Sequence, residues 1–173
     1  VHLLEQFRLH SEIATPVYRG ISNRWILSQR VRSDYHLTQL RHRLVWQDVP
    51  CEIAGEQIIQ FIHNLDPQIR SQIGIITFCT QQRDWLQSHL TQFADILIGT
   101  VAEWAGIERA IAIICCVGNL DIITTEDINI ALTRGQEYLI LFGDYDFWRQ
   151  PLSPLRALLA QPELHKERMV VMS

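Results

Sequence analysis

Apolar residues in this chain gather into short continuous runs, set apart by polar segments with a helical period. Leu44–Val49 reads as a strand stopped by Pro50, which cannot donate to a ladder. Ile73–Phe78, Asp95–Val101, Ile111–Val117 and Tyr138–Phe142 are further runs, too continuous for a sheet with one wet face. Between them, Glu52–Asn64 places Ile53, Ile58, Ile59 and Ile62 close to one helical face. Gln81–Leu90 predicts another helix, and Asp127 opens a short amphipathic segment ending in Ala131-Leu132-Thr133-Arg134-Gly135. Ser11 is placed to cap a helix running towards Val17-Tyr18, made irregular by Pro16. Leu155–Leu159 predicts a short late helix and Met169–Met172 an edge strand. Strands alternating with helices imply an α/β fold with a parallel sheet. Arg134 then stands on a helix end or turn, delivered to one edge of that sheet, and open α/β sheets bind ligands at such edges.

At 173 residues and 47% hydrophobic, the chain suffices for one domain with a sizeable core. No apolar run is long enough to span a membrane and no signal-peptide layout opens the chain, so no membrane partner is expected. The chain opens at Val1, a few residues before its first motif, which reads as a single domain (1–173) cut from a longer protein. The four cysteines form no C-x-x-C pair. Cys115 and Cys116 are adjacent in a predicted strand, point to opposite faces and cannot share a metal. They read as small buried hydrophobes of a reducing, cytoplasmic protein, and no metal site is expected.

Net charge is −4, against a strongly basic nucleic-acid module, yet its distribution is uneven. Residues 1–50 carry seven arginines against four acids, and residues 51–173 eight basic against fifteen acidic side chains. Within 19–43 the arginines, Arg30 and Arg32 among them, are interleaved with Trp25 and Tyr35. Such a segment tracks a single-stranded backbone and stacks on bases, or else it is a solvated connector.

Four blocks carry more specific chemistry: Q-F-R-L-H at Gln6–His10, I-G-I-I-T-F at Ile73–Phe78 with Gln82 after it, V-A-E-W-A-G-I-E-R at Val101–Arg109, and N-I-A-L-T-R at Asn129–Arg134. In this order the chain resembles the C-terminal, second RecA-like domain of superfamily 1 DNA/RNA helicases. The branch is the one that includes the nonsense-mediated-decay RNA helicase, with patterns Q-Y-R-M-H-P, I-G-I-I-T-P-Y-x-x-Q, V-D-x-F-Q-G-x-E-x-D and N-V-A-L-T-R. The resemblance implies a RecA-like parallel sheet flanked by helices. It makes Arg8 and Arg134 arginine fingers on ATP phosphates, sets Gln6, Gly106 and Glu108 at the nucleotide, and sets Thr77 and Gln82 beside single-stranded RNA or DNA.

Departures matter as much. Ala102, Ala105 and Ala110 replace three polar residues of the third block, and Glu126-Asp127 stand where the family carries a pair of arginines. No G-x-x-x-x-G-K-[ST] occurs, so the phosphate cradle and Mg²⁺ site of an NTPase are missing from these residues. ATP and Mg²⁺ are then expected only together with the first RecA-like domain of the same protein. The function implied is the C-terminal half of an ATP-dependent helicase or translocase, inactive alone. The alternative is a degenerate helicase domain serving as a non-catalytic binding or scaffold module.

Overall fold

The apolar runs of the middle of the chain are strands, and every pairing among them is parallel. The computed structural model describes residues 4–6, 9–22, 26–28, 36–38 and 40–167. In chain order the elements are β1 (Leu4–Gln6), α1 (Ser11–Ser22), β2 (Ile26–Ser28), β3 (Leu44–Asp48), α2 (Ala54–His63), β4 (Ile73–Thr77) and α3 (Thr80–His89). There follow β5 (Leu97–Thr100), β6 (Arg109–Cys115), α4 (Thr125–Leu132), β7 (Gly135–Gly143), α5 (Tyr145–Trp148), α6 (Arg156–Leu159) and β8 (His165–Glu167). Six strands form one sheet in the order β5-β4-β6-β7-β3-β8, while β1 and β2 pair separately.

Burial on both faces explains the continuous apolar runs. In β7, Leu139 and Leu141 enter one core while Tyr138, Ile140 and Phe142 enter the other. In β6 and the residue after it the split repeats: Ala112, Ile114 and Cys116 face one way, Ile111, Ile113 and Cys115 the other. The adjacent cysteines therefore sit on opposite faces, as their period demands. Ala54, Ile58 and Ile62 of α2 with Leu86 of α3 cover one face. Ile13 and Val17 of α1, Ile128, Ala131 and Leu132 of α4, and Trp148 and Leu158 cover the other.

Three tryptophans latch the layers together. The buried indoles of Trp46, Trp104 and Trp148 donate to the carbonyls of Gly143 (3.1 Å), Ile75 (3.1 Å) and Cys116 (2.8 Å). Each satisfies its one donor while burying a large apolar body.

Several boundaries differ from the sequence reading. The helix predicted at Glu52–Asn64 opens as a 3₁₀ turn, Cys51–Ile53, because Pro50 fixes the entry. The expected Ser11 cap is His10 instead, whose Nδ1 accepts the Glu12 N–H at 3.2 Å. The helix then runs through Pro16 to Ser22. The strand predicted at Tyr138–Phe142 extends to both flanking glycines. At Gly135 a side chain would drive into the Tyr138 carbonyl and the Ala112 methyl. The outer strand is His165–Glu167, and the one expected at Met169–Met172 lies outside the described residues.

Part of the basic segment proves structural. Arg43 and Glu137 are buried, 8% and 2% exposed, and pair at 3.1 Å. The same Nη1 donates to the Glu137 carbonyl at 3.1 Å, and the guanidinium lies 4.8 Å from the Tyr138 ring centroid. The Tyr138 hydroxyl in turn accepts the Leu37 N–H at 3.0 Å. Removing one partner strands the other charge, so Arg43→Ala is expected to lower unfolding free energy by about 3–5 kcal/mol. The double change Arg43→Met with Glu137→Leu is expected to recover most of that loss, read from urea midpoints at constant slope.

Candidate functional site

Three of the four sequence blocks meet where β6 and β7 begin. The His10 N–H donates to the Gln136 carbonyl (2.9 Å), and the Arg109 N–H to the Arg134 carbonyl (3.1 Å). The Gln136 amide then donates to Glu108 Oε2 at 2.9 Å, tying the two strand starts together by side chain. Gln136 was not singled out in the sequence, where only its place beside Gly135 marks it. Gly106 has φ +78°, and nothing lies within 4 Å of where a side chain would begin. This backbone therefore stands open to a ligand or a second surface. Gln6 closes β1. Its side chain and the whole of Arg8 fall outside the described residues.

Arg134 follows α4, as expected, but stands at the edge where strands start. Ligands of open α/β sheets gather at the opposite, carboxyl edge. The reason is chain order: the arginine ends the helix that precedes β7, not the loop that follows it. Its Nε donates to the Ile130 carbonyl (3.0 Å) and its Nη2 to the Thr133 hydroxyl (3.0 Å). Thr133 Oγ1 is within reach of the Asn129 (2.9 Å) and Ile130 (3.1 Å) carbonyls. A cation on the last carbonyls of a helix is favourable there, so Arg134 closes α4 in this conformation.

At the carboxyl edge, Thr77 is fully buried and its hydroxyl donates to the Cys79 carbonyl at 3.0 Å. In this conformation that side chain serves the turn. Gln82 is half-buried and lines a cavity of about 130 Å³ with Cys51, Glu52, Gly55, Glu56 and Trp85. Nearby, Arg83 bridges α3 to the end of β5 through Glu103 (2.6 Å), whose carboxylate also accepts the Thr100 hydroxyl at 3.0 Å. These partners, Arg83 foremost, hold the Glu103 carboxyl below its ordinary range.

Elsewhere in the basic segment, Arg19 pairs with Glu163 at 2.7 Å, while Arg30 and Arg32 lie outside the described residues. Trp104 and Trp148 are core residues. Among the described residues, no group of three His, Cys, Asp or Glu is placed to hold a metal ion.

The AAA domain family matches residues 1–146 of the chain. A similar solved structure is the C-terminal domain of a possible DNA helicase from Lactobacillus plantarum WCFS1. It is 16% identical, with a TM-score of 0.60, over 93% of this chain and 98% of that one. At that identity the likeness is one of fold, and the RecA-like α/β fold expected from the sequence is the fold observed. No curated protein matches.

Burial raises the Cys115 thiol to about 12 and Cys116 well above its ordinary value; Cys51 is also raised, by desolvation and by Glu52, but it is exposed, and Cys79 is half-buried. Thiolate is the reactive form. The folded chain is therefore expected to release colour from an aromatic disulfide reagent at Cys51 and Cys79 alone. Cys115 and Cys116 are expected to react only in denaturant; rapid reaction of all four in buffer contradicts the burial.

Proposed function

Since the chain belongs to the AAA domain family, we propose that it is the second RecA-like domain of an ATP-driven superfamily 1 helicase or translocase, acting on single-stranded RNA or DNA. The proposal extends to the branch of the nonsense-mediated-decay RNA helicase and to a cytoplasmic setting. What supports it most is the meeting of the Gln6–His10, Gly106–Arg109 and Asn129–Arg134 blocks at one sheet edge, tied by the His10–Gln136 and Arg109–Arg134 backbone bonds.

In this reading the edge is a lid. It holds no phosphate cradle, so ATP and Mg²⁺ sit on the first RecA-like domain, and this face closes over them. Arg134 exchanges the Ile130 carbonyl for a phosphate oxygen. It gives up a helix-end hydrogen bond of about 1 kcal/mol for charge-assisted bonds roughly twice as strong. Arg8 supplies a second guanidinium. Glu108, held by Gln136, meets the ribose, and the open backbone at Gly106 lets the nucleotide approach. Gln82 contacts the strand at the other edge, and closure steps the protein along it.

A scaffold reading has its own observation: Arg134 is already satisfied by its own helix, in a chain where Ala102, Ala105 and Ala110 replace polar partners. Kinetics separate the two. The chain alone is expected to show no ATP turnover above background, with or without nucleic acid. In the protein carrying both domains, Arg134→Ala is expected to raise the barrier by about 3–5 kcal/mol, seen in kcat, with little change in nucleotide Kd. Arg134→Lys rescues little, since a point charge does not replace the planar fork. Because Arg134 also closes α4, melting temperature is measured on the same preparations. Unchanged kcat with a lowered melting temperature favours the scaffold.

A further inference from the structure

Past the carboxyl end of β7 lies a cavity of about 360 Å³ lined by Tyr145, Arg149, Arg156, Leu159 and Ala160. Arg156 is exposed and makes no side-chain hydrogen bond or ion pair with any described residue. Arg149 has one ion pair, to Asp146 at 3.3 Å, but both side chains are well exposed, 60% and 82%. Pairs of that kind contribute little and exchange readily. Lys166 of β8 pairs with Asp48 at 3.5 Å and holds its ammonium 4.0 Å from the Tyr145 ring centroid, with Arg149 at 5.7 Å from the same ring. The Tyr145 backbone is held by its N–H donating to Asp48 Oδ1 at 3.0 Å.

This cationic cluster belongs to the half of the chain where acids outnumber bases, so composition hides it. Arg149 and Arg156 line one cavity with Tyr145, Leu159 and Ala160, and planar forks of this type suit bidentate contact with phosphate. The cluster also stands at the edge that carries Gln82. The strands β4 and β7 that lead to Gln82 and Tyr145 are separated only by β6, with α3 on one face of the sheet and α5 and α6 on the other, so a path joining them crosses the ends of the strands.

We propose that Arg149 and Arg156 form a phosphate site for the backbone of single-stranded nucleic acid, continuing its path from α3 across the carboxyl edge. The site rests on the strand-tracking part of the function above. It adds two contacts that none of the four sequence blocks contains. Asp146 acts as a built-in competitor, occupying Arg149 until a phosphate displaces it.

The test is fluorescence anisotropy of a labelled thymidine oligonucleotide, roughly two to three times the about 4–16 nucleotides of a typical single-strand site, titrated with the chain. Arg149→Glu with Arg156→Glu is expected to weaken binding at least tenfold. Arg149→Gln with Arg156→Gln is expected to make the log–log salt slope shallower by about 1.4, two contacts at ~0.7 each. Asp146→Asn is expected to tighten binding, which a merely structural aspartate would not do. These residues are exposed, and unchanged melting temperatures establish that the variants fold. An unaltered slope in the glutamine variant overturns the site, as does absence of any strand binding by the wild-type chain. Inorganic pyrophosphate binding lost in the glutamate variant, with oligonucleotide binding kept, would make it a free-anion site and also overturn the proposal. Binding of poly-glutamate as tight as the oligonucleotide would do the same in favour of an acidic protein partner. ATP turnover through Arg134 is measured separately, so failure here leaves that reading standing.

Discussion

A strand buried on both faces has no room for chemistry along its length, and β7 is such a strand. Every side chain from Tyr138 to Phe142 is committed to one core or the other. Polar function is driven to the two ends, and the ends are not equivalent. Where strands start, they receive the last carbonyls of helices, together with Glu108, Gln136 and Arg134. Where strands finish, they feed new turns and caps, with Thr77, Asp144 and Tyr145. The Arg43–Glu137 pair, buried beside the start of β7, holds the incoming chain of β3 against this strand. The geometry of both edges thus depends on one fully committed strand between β6 and β3.

Much of this was legible in the sequence, for a physical reason. Runs such as Ile73–Phe78 and Ile111–Val117 are apolar at consecutive positions, and no solvated element tolerates that. The strands appear within a few residues of where that pattern places them. What stayed hidden depends on side-chain geometry rather than on pattern. Nothing in the letters distinguishes Arg43, which is buried against Glu137, from its neighbours in a basic stretch. Thr77 carries the family's residue, yet its hydroxyl turns inward to Cys79. Helix α5 and strand β8 are too short to establish a period. Which edge Arg134 reaches follows from chain order and strand direction, and so becomes visible only when the parallel sheet is assembled.

The alanines of the third block sit around a residue that has taken on a structural task. Trp104 lies over Gly74, where any side chain would collide with its ring, and its indole is bonded to Ile75. Beside it, Glu103 draws Arg83 and Thr100 into a surface network that belongs to the end of β5. Polar character lost at Ala102 thus has a counterpart one residue on, directed to a neighbouring helix. The segment keeps its architecture while the identity of its polar partners changes.

Gly106 has an implication of a different kind. A Cβ there meets nothing within 4 Å, so the obstacle to a methyl group is the sign of φ. An L-residue is disfavoured by its handedness, whereas a D-alanine introduced by chemical ligation would fit the torsion. The position thus separates two properties that substitution among natural residues confounds, backbone freedom and absence of bulk. A mirror-image methyl group would leave the folded torsion undisturbed and still stand in the path of anything that approaches this backbone.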